Sequence, residues 1–155
     1  MTNRSLVVWV DDEPLLMDSE LYDLETNGFE PLPFQWVGDA LDWLLSAPPD
    51  LDHLRAIVID IQMPSRGDKR FSSEDGVPVG VRLCEVLVRS NEIWPKVRPK
   101  VILYTRLPSS SPSVRFAMNF SVEHGVKFLK KTAVSRVAVE LIQDRILEGR
   151  HGDAS

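Results

Sequence analysis

The sequence contains four apolar runs of the kind that forms buried parallel strands, and each run ends in side chains that carry chemistry. The runs span residues 6–10, 56–59, 101–104 and 126–129. The side chains that follow them, in the same order, are Asp11 and Asp12, Asp60, Thr105, and the pair Lys130 and Lys131. Open α/β sheets place their chemistry beyond the carboxyl ends of their strands. The pattern therefore predicts that three acids, a hydroxyl and an amine converge on one edge of a sheet, a set that suits a divalent cation and a phosphoryl group.

The segments between these runs show helical spacing, so strands and helices alternate five times along the chain. A further short strand is predicted over residues 29–35, where Pro31 and Pro33 each lack an amide donor and so favour an edge position. Pro95 and Pro99 mark the approach to the strand that ends in Thr105. Alternating elements with right-handed crossovers predict an α/β fold, a doubly wound five-stranded parallel sheet with helices on both faces.

Length and composition narrow the function classes. A chain of 155 residues with 43% hydrophobic and 26% charged residues is typical of one globular domain. A net charge of −5 disfavours broad capture of nucleic acid, and no apolar stretch approaches a membrane span. Cys84 is the only cysteine, which excludes an intrachain disulfide and fits a reducing compartment. We expect a cytoplasmic protein without nucleic-acid or membrane partners.

One domain is predicted over residues 1–148, followed by a flexible tail over 149–155. The segment 65–78 interrupts the alternation of strands and helices with glycine, serine and charged residues, and we interpret it as an irregular insertion. Phe71 is its one large apolar side chain, and it anchors the insertion either to the body of the domain or to a partner. Trp9 and the other three tryptophans are interpreted as core or partly buried aromatics.

Several strings together resemble the receiver domains of two-component response regulators, over about residues 6–147. These strings are Val-Asp-Asp-Glu-Pro at 10–14, Asp-Ile-Gln-Met-Pro at 60–64, Thr105 at the end of the fourth strand, and a lysine after the fifth. The acids after the first strand would, by themselves, equally suit a helix N-terminus. The complete set in this order indicates the receiver family, and the resemblance implies a flavodoxin-like fold with strand order 2-1-3-4-5.

The resemblance also implies a role for each site residue. Asp60 would accept the phosphoryl group as nucleophile. Mg²⁺ would be bound directly by Asp12, Asp60 and the backbone carbonyl of Gln62, with Asp11 acting through water. Thr105 would donate its hydroxyl to a phosphoryl oxygen and, with Phe128, form the switch.

The site lysine is expected to be Lys131, with Lys130 as the alternative. Three features depart from the family pattern. Thr132 stands where the family has proline, Arg106 stands where small residues are usual, and the insertion is longer than receivers normally have. Arg106 would either cover the site and contact a phosphoryl oxygen or face solvent.

These residues predict a single-domain response regulator, a phosphoprotein that takes its phosphoryl group from a sensor histidine kinase or a phosphotransfer protein. It would catalyse its own phosphorylation and dephosphorylation without otherwise being an enzyme, and would signal through protein–protein contacts with an unknown target. The alternative is a pseudo-receiver adaptor that binds partners without phosphorylation. An aspartate-nucleophile phosphatase ranks last, because it needs an acid where Gln62 stands.

Overall fold

The computed structural model describes residues 5–46, 48–72, 75–130, 138 and 140–144, and for residues 14–17 it describes the backbone alone. Its elements in chain order are β1 (Ser5–Val10), α1 (Pro14–Thr26), β2 (Phe29–Phe34), α2 (Val37–Leu45), β3 (Leu54–Asp60), α3 (Val79–Val88), α4 (Trp94–Val97), β4 (Val101–Thr105), α5 (Pro112–His124) and β5 (Lys127–Lys130). Residues 138 and 140–144 are also helical. The predicted tail over 149–155 lies outside this part of the chain.

The five strands form one parallel sheet in the order β2-β1-β3-β4-β5. This confirms the predicted doubly wound, flavodoxin-like α/β fold. The chain passes from β1 outward to β2 and then crosses back to β3 on the other side of β1. Such a reversal opens a crevice beyond the carboxyl ends of the two central strands. The acids at the carboxyl ends of β1 and β3 lie at this crevice.

Strand register brings the acids together. Val10 of β1 pairs with Ile59 of β3, so the next residue of each strand, Asp11 and Asp60, lie side by side. Asp60 in turn pairs with Tyr104 of β4, one residue before Thr105. Every residue of β4 is buried, because the strand lies inside the sheet.

The two faces of the sheet support two separate apolar clusters. One contains Val8, Val10, Ile57, Ile59 and Leu103, together with the apolar faces of α2, α3 and α5. The other contains Val7, Trp9, Ala56, Val58, Ile102 and Tyr104, together with Leu24 of α1 and residues 138 and 141. Successive strand residues alternate between the clusters, as the two-residue period of a strand requires. The buried central strands therefore carry apolar residues on both faces, which is why they appear as continuous runs in the sequence.

The two proline-rich segments adopt the structures that their missing amide donors allow. Pro31 and Pro33 lie in β2, which is an edge strand as predicted. Pro95 lies in the first turn of α4, a one-turn helix that the sequence did not reveal. Proline fits there because the first amides of a helix have no intrahelical acceptor.

The insertion between β3 and α3 is attached to the body of the domain. Phe71 is fully buried in a short 3-10 turn over Lys69–Phe71 and joins the larger apolar cluster. The Arg70 guanidinium bonds Asp68 at 2.7 Å and Asp42 of α2 at 2.6 Å. The Arg66 guanidinium lies 4.1 Å from the ring centre of Trp36, a cation–π contact. Of the two roles open to Phe71, the structure shows the anchor to the body.

Candidate functional site

Three carboxylates meet at the carboxyl ends of β1 and β3. Asp11 and Asp12 follow β1 directly, and Asp60 is the last residue of β3. One carboxylate oxygen from each side chain lies within 4.8 Å of the others, and Asp11 is buried while the other two are partly exposed. The predicted convergence of the acids is thus observed, and the partial exposure of Asp12 and Asp60 leaves the cluster in contact with solvent.

Asp11 is held on both of its carboxylate oxygens. The backbone amide of Glu13 donates to Oδ1 at 2.9 Å, and the Tyr104 hydroxyl donates to Oδ2. Burial and the nearby charges of Asp11 and Asp60 raise the pKa of Tyr104 well above its usual range, so the phenol keeps its proton. Asp11 is thereby fixed in position before any ligand arrives.

The surroundings of Asp60 disfavour the charged form of its carboxyl group. Burial, joined by the negative charges of Asp11 and Asp12, raises the pKa of Asp60 to about 7. The Gln62 amide, which donates to Oδ1 at 2.9 Å, and the Arg106 guanidinium act in the opposite direction. Burial, with added repulsion from Asp11 and Asp12, therefore keeps Asp60 partly protonated near neutral pH when no cation is bound. A cation between them would relieve that repulsion.

The donor set fits Mg²⁺. This ion prefers carboxylate and carbonyl oxygens, and it keeps several waters when only a few protein ligands are present. The clustered carboxylates of Asp11, Asp12 and Asp60 supply hard oxygen donors and negative charge at close range. The backbone carbonyl of Gln62 remains a predicted additional ligand, and the Gln62 amide already faces the cluster through Asp60.

The switch residues lie on one face of the sheet. Thr105 is buried, and its Oγ1 accepts a hydrogen bond from the Leu107 amide at 3.0 Å. Phe128 of β5 pairs with Leu103, two residues before Thr105, and packs partly buried against the larger apolar cluster. Since residues two apart in a strand share a face, Thr105 and Phe128 lie on the same side of the sheet.

Of the two candidate lysines, only Lys130 lies in the described part of the chain. Lys130 pairs with Thr105 in the β4–β5 register, and its ammonium donates to Ser109 Oγ at 2.8 Å. Lys130 is therefore directed toward the loop that precedes α5. Lys131, the predicted site lysine, lies outside the described residues, as does Thr132.

Arg106 lies at the rim of the site. Its guanidinium is 3.8 Å from the Glu13 carboxylate, and its positive charge lowers the pKa of Asp60. The side chain is 43% exposed, so Arg106 faces solvent in part. Contact between Arg106 and a phosphoryl oxygen stays a prediction.

Two residues near the site were missed in the sequence. A Cβ on Gly80 would lie 2.4 Å from the Asp60 carbonyl oxygen, so only glycine lets α3 approach the end of β3. A glycine inside a helical pattern was the available signal. In the sequence, Tyr104 belongs to the apolar run 101–104. Its hydroxyl, directly before Thr105, is the signal that this strand end makes a polar contact.

Asp60→Asn should stabilise the metal-free protein. The folded-state pKa is about 7 and the ordinary value is 3.8, so the carboxyl group costs stability increasingly as pH rises between these values. Asparagine removes this cost and retains an oxygen for the Gln62 amide. The rise in pKa corresponds to about 4 kcal/mol, and solvent screening of the partly exposed carboxylate reduces this to an expected gain of about 2 kcal/mol in the free energy of unfolding near pH 8. Near pH 4 we expect almost no gain, and urea denaturation with a chelator measures both values.

The exposed Asp18 on α1 supplies the matched control, and Asp18→Asn should leave stability nearly unchanged at both pH values. Mg²⁺ should shrink the gain from Asp60→Asn, because the cation stabilises the wild-type carboxylates. A gain that grows as pH falls would contradict the assigned direction.

Solved structures share this fold along nearly the whole chain. A response regulator receiver domain protein from Clostridium thermocellum matches with a TM-score of 0.62 and 17% identity, over 94% of this chain and 97% of that one. The signal receiver domain of a signal transduction histidine kinase from Syntrophus aciditrophicus matches with a TM-score of 0.60 and 25% identity, over 94% and 91%. The BeF3-activated receiver domain of Klebsiella pneumoniae RstA matches with a TM-score of 0.58 and 20% identity, over 91% and 96%.

No protein-family model and no curated protein sequence matches the chain. The structural matches show that the chain has the receiver-domain fold, which confirms the resemblance at the level of the fold. None of the helices in the described part of the chain is long and apolar enough to cross a bilayer.

Proposed function

We propose that this chain is a response regulator receiver that accepts a phosphoryl group on Asp60 and signals through protein–protein contacts. The donor would be the phosphohistidine of a sensor histidine kinase or of a phosphotransfer protein. The observation that carries the proposal is the convergence of Asp11, Asp12 and Asp60 within 4.8 Å at the end of the central strands. These carboxylates would supply a nucleophile and oxygen ligands for a cation, and this supports the proposal.

The chemistry follows from the positions of the side chains. A carboxylate oxygen of Asp60 attacks the phosphorus, the new O–P bond forms, and the P–N bond to the donor imidazole breaks. The imidazole nitrogen keeps the electron pair of that bond. The hydrogen bond from the Gln62 amide holds Oδ1 of Asp60 and thereby orients the carboxylate. Phosphoryl transfer depends mainly on such positioning and on charge stabilisation.

Mg²⁺, held by Asp12, Asp60 and the Gln62 carbonyl with Asp11 through water, would supply positive charge against the carboxylates and the transferred group. Asp11 keeps its place through the Glu13 amide and the Tyr104 hydroxyl. Arg106, at the rim, adds positive charge on the solvent side. The chain's own residues therefore orient the nucleophile, and the cation would offset the negative charge that gathers around it.

A signal leaves the site through Thr105. Its Oγ1 now accepts from the Leu107 amide, and in the phosphorylated state the hydroxyl would donate to a phosphoryl oxygen. Movement of Thr105 toward Asp60 vacates space on the face of the sheet that Phe128 shares. Phe128 filling that space would convert a charge change at Asp60 into a packing change on the surface formed by α5 and β5.

Beryllofluoride with Mg²⁺, an aspartyl-phosphate mimic, should therefore shift amide resonances well beyond the acidic cluster. We expect changes in ¹H–¹⁵N spectra at Thr105 and along residues 106–130, because the switch repacks this region. Asp60→Asn is the control, and it should show none of these changes since it lacks the carboxylate that binds the mimic.

The second candidate is an adaptor that binds partners without phosphorylation. One observation favours it: Lys130, the alternative candidate for the site lysine, is directed to Ser109. The same spectra separate the two functions. Shifts confined to the neighbourhood of Asp11, Asp12 and Asp60, with residues 106–130 unmoved, would exclude the switch and support the adaptor.

A further inference from the structure

We propose that Tyr104 is a positioning residue for the cation site, holding Asp11 in place through a relay of hydrogen bonds that begins at Trp9. The proposal rests on the Mg²⁺ site of the proposed function and adds to it two aromatic residues on the α1 side of the sheet. Neither residue touches the phosphoryl group. Their role is to hold the Asp11 carboxylate in place from the α1 side of the sheet.

The relay is buried and its members come from two strands that are not neighbours. Trp9 in β1 is fully buried and Tyr104 in β4 is 1% exposed. The Trp9 indole Nε1 lies 3.4 Å from the Tyr104 hydroxyl oxygen, and that hydroxyl bonds Asp11 Oδ2. The two rings meet edge to face with centres 5.9 Å apart. Val58 lies on the intervening strand β3, on the same face, and the two large side chains approach each other across it.

The chemistry of the three groups gives the relay one direction. An indole nitrogen only donates, and an ionised carboxylate only accepts. The Tyr104 oxygen must then accept from Trp9, and its single proton must point to Asp11. With Trp9 as donor and Asp11 as acceptor, the Tyr104 hydroxyl is oriented as a donor to the carboxylate.

Donors to both carboxylate oxygens fix the orientation of the Asp11 carboxylate. The Glu13 amide fixes Oδ1 at 2.9 Å and Tyr104 fixes Oδ2, while one carboxylate oxygen of Asp11 lies within 4.8 Å of oxygens of Asp12 and Asp60. A buried carboxylate with two donors also costs less to keep charged than one with a single donor. Groups that orient a direct metal ligand typically contribute 10–100-fold to metal affinity, and Tyr104, which orients the water-bridged Asp11, should lie at the low end of that range.

Packing alone does not account for the hydroxyl. Phenylalanine at position 104 would fill the same space and keep the edge-to-face contact with Trp9. Compared with phenylalanine, tyrosine adds one hydrogen bond, which its hydroxyl donates to the Asp11 carboxylate. The relevant comparison is therefore Tyr104→Phe, which deletes that bond and conserves the ring.

The experiment measures Mg²⁺ affinity by isothermal titration calorimetry, with metal-free folding followed by thermal denaturation. Tyr104→Phe should weaken Mg²⁺ binding about 10-fold. Trp9→Phe removes the outer donor of the relay together with part of a buried ring, and it should weaken binding by about two- to threefold, with thermal denaturation reporting the cost in packing. Tyr22→Phe, at a tyrosine 66% exposed on α1, is the matched control and should leave the affinity unchanged.

A double-mutant cycle with Asp11→Asn separates positioning from general damage. If Tyr104 acts through Asp11, then Tyr104→Phe should cause no further loss of affinity in the Asp11→Asn background. An equal loss in both backgrounds would overturn the proposal, because the hydroxyl would then act through packing. Wild-type affinity in both Tyr104→Phe and Trp9→Phe would also overturn it. Absence of Mg²⁺ binding by the wild-type protein would instead count against the proposed function itself.

Discussion

Asp60→Asn should take up no phosphoryl group from acetyl phosphate and Mg²⁺, whereas the wild-type protein should gain one. Asp60 ends the central strand β3 beside Asp11 and Asp12, and no other acid of the described chain has both neighbours. Asparagine keeps the hydrogen bond from the Gln62 amide but has no nucleophilic carboxylate. Intact-mass spectrometry of the two proteins under the same conditions measures the difference directly.

The folded state of the variant provides the control for this result. Asp60→Asn is expected to be more stable than the wild-type protein without metal, so a loss of phosphorylation cannot be ascribed to unfolding. Asp18→Asn, on the exposed surface of α1, should be phosphorylated like the wild type. A phosphoryl group on Asp60→Asn at the wild-type level would show that another residue is the acceptor.

Asp12→Ala should lose nearly all affinity for Mg²⁺. The side chain is expected to be a direct ligand in a small oxygen cage, and deleting it leaves two carboxylates to balance the cation. The loss should exceed the roughly 10–100-fold effect of residues that only orient a ligand. Calorimetric titration with Mg²⁺ measures it.

Asp50→Ala removes an exposed acid in the turn over Pro49–His53, which precedes β3 at the opposite edge of the sheet. It changes the net charge as Asp12→Ala does, so it controls for general electrostatics and should bind Mg²⁺ normally. Equal affinities in Asp12→Ala and the wild type would mean that Asp12 is not a ligand.

Much of the fold and the acidic cluster could be predicted because they depend on local patterns. Strands buried on both faces leave continuous apolar runs, and parallel strands present their carboxyl ends at one edge. Asp11, Asp12 and Asp60 could be assigned to one place from these two rules alone. The strand order needed the resemblance to receiver domains, because spacing does not say which strands are neighbours.

The contacts that sequence could not predict depend on register. Trp9 and Tyr104 lie 95 positions apart and meet only because β3 separates their strands with Val58 between them. A shift of one residue in either pairing would turn Tyr104 to the other face of the sheet. The face on which each lysine lies depends on strand register in the same way. Lys130 shares the face of Thr105 because of the β4–β5 register, and no local signal in a run of two lysines indicates that register.

The insertion shows a different limit. Its glycine, serine and charged residues are typical of irregular structure, and its path has little regular secondary structure beyond the turn over Lys69–Phe71. The partners of its side chains were hidden because they belong to α2, such as Asp42, or to the turn before it, such as Trp36. Only Phe71 could be identified as an anchor, since one large apolar residue in a polar segment is expected to be buried.

The most direct test of the central claim is to locate the phosphoryl group in the chain. After treatment with acetyl phosphate and Mg²⁺, reduction with borohydride converts an aspartyl-phosphate to homoserine, which tandem mass spectrometry of peptides can place at one position. We expect homoserine at position 60 and at no other acid. Homoserine at position 11 or 12, or its absence from the whole chain, would contradict the assignment of Asp60 as phosphoryl acceptor.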